Sequence, residues 1–182
     1  MQHRTADELA AALPEIQQSP ATAGSVELIV RRPAEDEREV LEECTLDPEV
    51  GLVGDAWLAR GSKAMPDGSA NPDAQLTLMN ARAADVITGS KDRWPMAGDQ
   101  LYVDLDLSIE NLPAGTRLAV GDAVVEVTPE PHTGCAKFSA RFGTEALKFV
   151  NKSPGRELRL RGVNARVVSA GPVRTGDTIT KL

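Results

Sequence analysis

The chain has 182 residues, 41% of them hydrophobic and 26% charged, which is typical of a folded globular protein. Its net charge of −7, without a long basic run, argues against a nucleic acid as the main partner, because phosphate contacts need a concentrated Lys and Arg surface. Two cysteines are too few for a disulfide framework. The sequence has no apolar run of membrane-spanning length and no apolar signal segment in "MQHRTADELA", so we expect a cytoplasmic protein that binds no membrane.

The first segment predicts a short helix. Thr5 can cap it, and Glu8 three residues later completes a capping box. Pro14 and the stretch "QQSPATAGS" are expected to end this helix. We therefore predict an N-terminal helical extension over residues 1–23, followed by one domain over residues 24–182.

The domain itself reads as β-rich. The segment "VELIVRR" places Val26, Leu28 and Val30 on one face of a strand, and "LYVDLDLS" alternates in the same way. Two further strands flank a tight Gly121-Asp122 turn, and the C-terminal segment predicts two more. With seven or eight short strands and two or three short helices, such as "ARAADVITG", the pattern predicts a mainly β fold, a barrel or a sandwich.

A long segment rich in Gly, Pro, Ser, Asn and Asp, "ARGSKAMPDGSANPD", covers residues 59–73. A loop of this length inside a compact domain is usually functional or disordered. Basic residues lie in it, near it and after Cys135. If the fold brings several of them together, they form an anion pocket. These residues are Arg60, Lys63, Arg82, Lys137 and Arg141.

Cys135 allows two interpretations. It is predicted to lie in the first turn of a helix, "CAKFSARFG", where unpaired backbone N–H groups stabilise a reactive thiolate. It also shares i, i+3, i+7 spacing with Phe138 and Phe142, as a core-facing residue would. The local sequence leaves both open. Cys44, by contrast, lies in a predicted strand and is interpreted as structural.

Other catalytic patterns are weak. The only histidines are His3 and His132, which excludes a zinc site built from several histidines. A single histidine such as His132 is more often a hydrogen-bonding turn residue than a catalytic one. The sequence has no GxSxG motif, no P-loop and no GxGxxG motif.

An ordered series of segments resembles the MOSC domain, the module at the C-terminus of molybdenum cofactor sulfurases. "GLVGDAW" resembles the family's Gly-x-x-Gly-Asp turn, and "AGDQLYVDLDLS" resembles its Gly-Glu-Asn-Leu segment, with Asp99 and Gln100 at the Glu and Asn positions. "LPAGTRLAVGDAVVEVTPEPHTGCAKF" resembles the hairpin that leads to Pro-x-x-x-Cys-x-Lys. With "NPDAQLTLMN" and "GVNARVVSAGPVRTGDTI", the series covers roughly residues 24 to 182 and keeps the family's order.

The resemblance implies a β-barrel-like MOSC fold with a cysteine at its functional pocket. The matching position is Cys135, which would be catalytic and would ligate the molybdenum of the molybdenum cofactor (molybdopterin) or carry sulfur as a persulfide. The cofactor-binding residues implied with it are Asp55, Arg60, Lys63, Asp99, Gln100, His132, Lys137 and Arg141.

Three functions follow as hypotheses. The first is a molybdenum-cofactor-dependent oxidoreductase that reduces N-hydroxylated small molecules. Since the sequence has no flavin or iron–sulfur motif, this enzyme would need a separate redox partner. The second is a sulfur carrier or cofactor-binding module with a persulfide on Cys135. The third is a MOSC fold without a cofactor, in which Cys135 packs in the core.

Overall fold

Seven strands close into a barrel in the computed structural model, which describes residues 3–182. Around the barrel the order is β1, β11, β7, β8, β9, β5, β6 and back to β1, and within it only β5 and β6 run parallel. The mainly β, barrel-like prediction is confirmed. The strands are β1 (Ala23–Arg31), β2 (Glu39–Leu41), β3 (Glu43–Asp47), β4 (Gly51–Leu52), β5 (Leu76–Asn80), β6 (Leu101–Asp104), β7 (Arg117–Val120), β8 (Ala123–Val127), β9 (Val163–Ser169), β10 (Gly171–Arg174) and β11 (Thr178–Lys181).

Outside the barrel, β2 extends the sheet from β1, and β10, β3 and β4 form a small second sheet. The C-terminal segment thus contributes three strands, not the two predicted. A single residue, Ala170, separates β9 from β10, and Gly171 allows the change of sheet because a Cβ there would collide with the backbone of Asp122. Such close approach of two backbones favours glycine.

Helices pack on the outside of the barrel. They are α1 (Ala6–Ile16), α2 (Trp57–Arg60), α3 (Ala81–Thr88), α4 (Ala136–Phe142) and α5 (Thr144–Asn151), with 3₁₀ segments at Pro72–Ala74 and Lys91–Ala97. Within residues 3–182, no helix combines the length and the apolar character needed to cross a bilayer.

Helix α1 begins as predicted, because Thr5 and Glu8 form the capping box. The prediction that Pro14 ends it is wrong, since the helix continues to Ile16. A proline in the last turn removes a single intrahelical hydrogen bond, which tertiary packing can offset. Leu9 is 1% exposed and packs in the core between the helices and the barrel.

Two hydrophobic cores share strand β1. The first fills the barrel and contains Val26 and Ile29, and the second lies under the helices and contains Leu28 and Val30. The prediction that Val26, Leu28 and Val30 share one face is therefore wrong. A β-bulge between Val26 and Leu28 shifts the register and turns the later residues to the opposite face.

Strand β6 is buried on both faces. Leu101, Val103, Leu105 and Leu107 all belong to the barrel core, as their alternation predicted. On the opposite face Tyr102 is fully buried, and its hydroxyl donates to the Trp94 carbonyl oxygen at 2.5 Å, while Asp104 at the end of the strand is 28% exposed. The residues that follow Gly98 along this strand therefore lie between the two cores.

Candidate functional site

Cys135 is exposed at the N-terminal end of α4. It is the residue that precedes the helix, one position earlier than predicted, and its carbonyl oxygen accepts from the Ser139 N–H at 3.0 Å. Phe138 and Phe142 are 2% and 1% exposed. The interpretation of Cys135 as a core residue on the same stripe is therefore wrong, because the helix buries the two phenylalanines and leaves the thiol outside.

The loop before Cys135 is held by two asparagine side chains. Asn164 Nδ2 donates to the carbonyl oxygens of Glu130 and Pro131 at 3.1 and 3.2 Å. Asn151 binds both backbone groups of Gly134, accepting from N–H at 2.8 Å and donating to the carbonyl oxygen at 3.0 Å. The exposed thiol thus follows a fixed backbone. The sequence analysis missed both asparagines: Asn151 ends α5, and Asn164 is one of the polar residues of β9.

His132, Asp99 and Arg161 form a buried charge network, here called the Asp99 network. Asp99 is 0% exposed; its Oδ1 lies 2.8 Å from His132 Nε2, and its Oδ2 accepts from Arg161 Nη1 at 2.5 Å. Burial alone would raise the pKa of Asp99, but Arg161 and His132 outweigh it and hold that pKa well below its usual range. Burial, followed by repulsion from Arg161, lowers the pKa of His132. The network therefore combines a carboxylate, a guanidinium and a neutral imidazole.

Asp55 and Gln100 belong to a second buried network. Asp55 accepts two hydrogen bonds from the Arg32 guanidinium, at 3.0 and 2.8 Å, and a third from the Arg32 backbone N–H at 2.9 Å. Gln100 Nε2 donates to Asp55 at 3.3 Å, while Gln100 Oε1 accepts from the Thr77 N–H at 2.8 Å. The side chains of Asp55, Asp99 and Gln100 are thus committed to protein partners and act on a ligand only through the residues that they hold.

Four successive carbonyl groups, those of residues 95–98, each accept a hydrogen bond from a different arginine. The carbonyl oxygens at the end of a 3₁₀ segment lack the partners of a continuing helix and attract cations, although Pro95 also accepts from the Gly98 N–H at 3.2 Å. The result is a cluster of guanidinium groups next to the Asp99 network. The pairs are Arg38 with Pro95 at 3.3 Å, Arg141 with Met96 at 2.8 Å, Arg161 with Ala97 at 2.9 Å and Arg32 with Gly98 at 3.1 Å.

A cleft of about 520 Å³ opens beside this cluster and is here called the arginine cleft. Its lining residues are Arg32, Ala34, Glu35, Asp36, Arg38, Ala56, Ala59, Arg60 and Lys137. Lys137 follows Cys135 by two residues at the start of α4, so the segment that carries the thiol borders the cleft.

The cations of the arginine cleft outnumber their carboxylate partners. Across residues 3–182, neither Arg38 nor Arg60 lies within 4 Å of a carboxylate oxygen, the limit for an ion pair. Burial, followed by repulsion from Arg141 and Arg32, lowers the pKa of Arg38, and burial together with Arg32 lowers the pKa of Arg60. Two guanidinium groups thus line the cleft without an ion-pair partner, although Glu35 and Asp36 also line it, and an anionic ligand can supply the missing partner.

The remaining predicted cations occupy different environments. Lys137 Nζ lies 2.9 Å from Glu35 and 3.4 Å from Asp36, and Arg141 lies 2.9 Å from Asp36 at the edge of the cleft. Lys63 is exposed in the long loop and does not line the cleft. Arg82 pairs with Asp104 at 2.8 Å, beside a different cavity. The structure therefore brings Arg60, Lys137 and Arg141 together and leaves Lys63 and Arg82 apart.

Arg32, Arg38 and Arg161 were missed by the sequence analysis. Each lies at a strand end or in a turn, without a recognisable motif around it. Cys44 behaves as the sequence suggested: it is buried, and burial followed by the Glu43 charge raises its pKa to about 12. Such a thiol is chemically inert near neutral pH.

Comparison with known proteins places the chain in a family. The MOSC domain family model matches residues 68–180, more than half of the chain. No curated protein sequence matches. The crystal structure of the YuaD protein from Bacillus subtilis is similar with a TM-score of 0.61 and 17% identity, over 86% of this chain and 94% of that chain. The crystal structure of YiiM from Escherichia coli is similar with a TM-score of 0.57 and 17% identity, over 87% and 69%. At these identities the likeness concerns the fold.

Proposed function

Since the chain belongs to the MOSC domain family, which is associated with the molybdenum cofactor, we propose that it binds that cofactor and works as an oxidoreductase. Cys135 is the proposed molybdenum ligand. The observation that carries the proposal is an exposed thiol on a fixed loop, next to a cleft in which Arg38 and Arg60 lack carboxylate partners. The proposed substrates are N-hydroxylated small molecules, reduced with electrons from a separate redox partner protein.

The residues present fit such a group. A thiolate is the kind of soft ligand that suits a soft metal centre, and Cys135 is the accessible one of the two cysteines. Guanidinium groups bind phosphate oxygens with two parallel hydrogen bonds, which suits Arg38 and Arg60 to the phosphate of a pterin cofactor. A volume of about 520 Å³ lies within the range usual for cofactor sites.

The metal itself would have to arrive with the cofactor. Among the residues that the structure describes, 3–182, no three or more His, Cys, Asp and Glu side chains are grouped so as to hold a metal ion. Cys135 would then supply one protein ligand to a centre whose other ligands belong to the cofactor or to solvent. When bound, the cofactor supplies the two-electron redox chemistry.

The protein's own contributions follow from the geometry. Arg38, Arg60 and Lys137 bind and orient the anionic part of the cofactor. Asn151 and Asn164 hold the backbone before Cys135, so that the thiol keeps one position relative to the cleft. Asp55 keeps Arg32 in place in the wall of the cleft, and Asp99 holds Arg161 beside it on the carbonyl group of Ala97, so that neither carboxylate is used on the ligand.

Elemental analysis tests the proposal. Protein purified from a host that makes the molybdenum cofactor should contain molybdenum, measured by mass spectrometry, in proportion to folded protein. Cys135→Ser should lose most of the metal, and Arg38→Gln should lower cofactor occupancy. Cys44→Ala is the matched control, since it removes the buried thiol, and it should retain the metal. Metal-free wild-type protein from a competent host would refute cofactor binding.

A sulfur carrier is the second candidate, and the exposure of the Cys135 thiol favours it. In this function the Cys135 thiolate attacks the outer sulfur of a donor persulfide, the donor leaves as a thiol, Cys135 keeps the sulfur as its own persulfide, and no metal is needed. Intact mass separates the two: one added sulfur that disappears in Cys135→Ser supports the carrier. An unmodified mass together with bound molybdenum supports the oxidoreductase.

A further inference from the structure

A second cavity, separate from the arginine cleft, lies on the other side of the loop that leads to Cys135. Its volume is about 260 Å³. We propose that it binds a protonated oxyanion, hydrogen phosphate or a phosphate monoester, whose O–H group donates a hydrogen bond to His132 Nδ1. The proposal goes beyond the proposed function, because it needs neither molybdenum nor Cys135. The cavity is lined by Ile109, Thr128, Pro129, Glu130, Pro131, His132, Thr133, Val150, Asn151, Arg156, Arg159, Arg161 and Gly162.

The Asp99 network determines which nitrogen of His132 carries the proton. Asp99 is ionised and accepts a hydrogen bond, so Nε2, at 2.8 Å from its Oδ1, must be the protonated nitrogen of the neutral ring. Arg161 holds the same carboxylate from its other oxygen at 2.5 Å. Nδ1 is then left with a lone pair that can only accept.

His132 Nδ1 is open to the cavity. The hydrogen bond to Asp99 uses Nε2, and Nδ1 has no partner in the protein. In the described part of the chain, the one buried side-chain nitrogen or oxygen without a partner is Arg161 Nε. Nδ1 is therefore reachable by solvent, and His132 lines the cavity with 17% of its side chain exposed.

The charges around the cavity favour an anion. Arg156 is exposed and has no carboxylate within 4 Å among residues 3–182, so its guanidinium is available to a ligand. Arg159 also lines the cavity, although one of its nitrogens donates to the Leu112 carbonyl oxygen at 2.6 Å. Glu130 is the opposing charge, and Arg161 is already paired with Asp99. The balance on the cavity wall is positive.

His132 Nδ1 is a hydrogen-bond acceptor surrounded by arginine side chains, and this combination favours an anion that still carries a proton. Hydrogen phosphate and a monoester near its second pKa, about 6, carry an O–H group that can meet Nδ1. Sulfate has the same shape and a similar charge but no proton to donate at that pH. With sulfate, the lone pairs of Nδ1 and of the anion face each other, so that Nδ1 makes no hydrogen bond to the anion and repulsion is added.

The two histidines make this site measurable by imidazole ¹H–¹⁵N correlation spectra, with His3 as the internal reference. Without ligand, His132 should show a protonated Nε2 and an unprotonated Nδ1. At about pH 6 and constant ionic strength, inorganic phosphate should shift the His132 signals in a saturable way. Sulfate should bind at least about tenfold more weakly, because it lacks one hydrogen bond to a charged group. Methyl phosphate distinguishes inorganic phosphate from a phosphate monoester as the ligand. If methyl phosphate binds as tightly as inorganic phosphate, the cavity is a monoester site.

Arg156→Gln tests the cation without touching the buried network. It should weaken phosphate binding at least about tenfold and leave the His132 tautomer unchanged. Lys152→Gln is the matched control, since Lys152 is exposed nearby but does not line the cavity. Four results would each overturn the proposal. These are a proton on Nδ1, shifts with sulfate equal to those with phosphate (an adventitious ion only), no shift with phosphate, and an Arg156→Gln protein that binds phosphate like wild type. None of these results depends on the molybdenum content.

Discussion

Replacing Asp99 by asparagine removes the central charge of the Asp99 network while keeping the size of the side chain. Asp99 is fully buried, and the Arg161 side chain is 8% exposed, with its Nη1 at 2.5 Å from the carboxylate. Two unit charges about 4 Å apart near a protein surface attract by about 4 kcal/mol, and this pair is closer. Removing one partner of a buried pair leaves the other uncompensated and costs about 3–5 kcal/mol. Asp99→Asn should therefore lose a large part of a total stability of about 5–15 kcal/mol.

Urea unfolding measures this loss, and Asp104→Asn is the matched control. Asp104 pairs with Arg82 at 2.8 Å, but the two side chains are 28% and 29% exposed, so solvent screens the pair and its loss should cost about 1 kcal/mol or less. Asp99→Asn should lower the unfolding midpoint by more than about 1 M, since the slopes are about 1–3 kcal/mol per molar urea. If the two variants lose equal stability, the claim that the buried network supports the fold is wrong.

The same network sets a pH dependence. The pKa of Asp99 is lowered in the folded protein from an ordinary value of 3.8, so its stabilisation is complete above that pH and is lost as the pH falls through the lower folded value. The pKa of His132 is also lowered, from 6.5, so the unfolded chain takes up a proton first and stability falls as the pH drops below 6.5. Wild-type protein should lose stability in two steps, as the pH falls below 6.5 and again below 3.8. Asp99→Asn should show only the first step, because the carboxylate that titrates in the lower range is absent.

Three further outcomes are expected. Asn151→Ala leaves the N–H and carbonyl groups of Gly134 without their partner, so it should cost about 1–3 kcal/mol in urea unfolding and change the rate at which a thiol reagent modifies Cys135; an unchanged rate would contradict the role of Asn151 in placing the thiol. Because burial raises the pKa of Cys44 to about 12 from 9.0, the unfolded chain ionises first and stability should fall as the pH rises above about 9, an effect that Cys44→Ala removes. Leu9→Ala should cost about 2–5 kcal/mol although it lies in the predicted extension, and a loss below about 0.5 kcal/mol would mean that α1 is dispensable to the domain.

The sequence carried enough information to predict the main elements. Local signals act over a few residues, and they identified the capping box of Thr5 and Glu8, the short helix α3, and the hairpin turn at Gly121. The alternation in β6 correctly predicted its barrel-facing side. The bulge in β1 could not be predicted in this way, because its extra residue is defined by pairing with β6, a strand far away in the chain.

The candidate site also contains some residues that local sequence signals predict and others that only the folded chain brings together. Cys135 and Lys137 stood out in the sequence through a short motif, and the exposure of the thiol follows from the burial of Phe138 and Phe142 on α4. Arg32, Arg38 and Arg161 did not stand out, since each becomes part of the site only when its guanidinium meets a carbonyl oxygen of residues 95–98.

By itself the sequence determined a mainly β fold and a short helix next to Cys135, and the ordered motifs that resemble the MOSC domain implied the barrel and marked the distinctive cysteine. These depend on periodicity, turn residues and short motifs, all of which are local. The tertiary structure alone decided that Asp99 and His132 join Arg161 in a buried network, and that Arg38 and Arg60 line one cleft without an ion-pair partner. Electrostatic interactions depend on distance and burial, and both are properties of the folded chain.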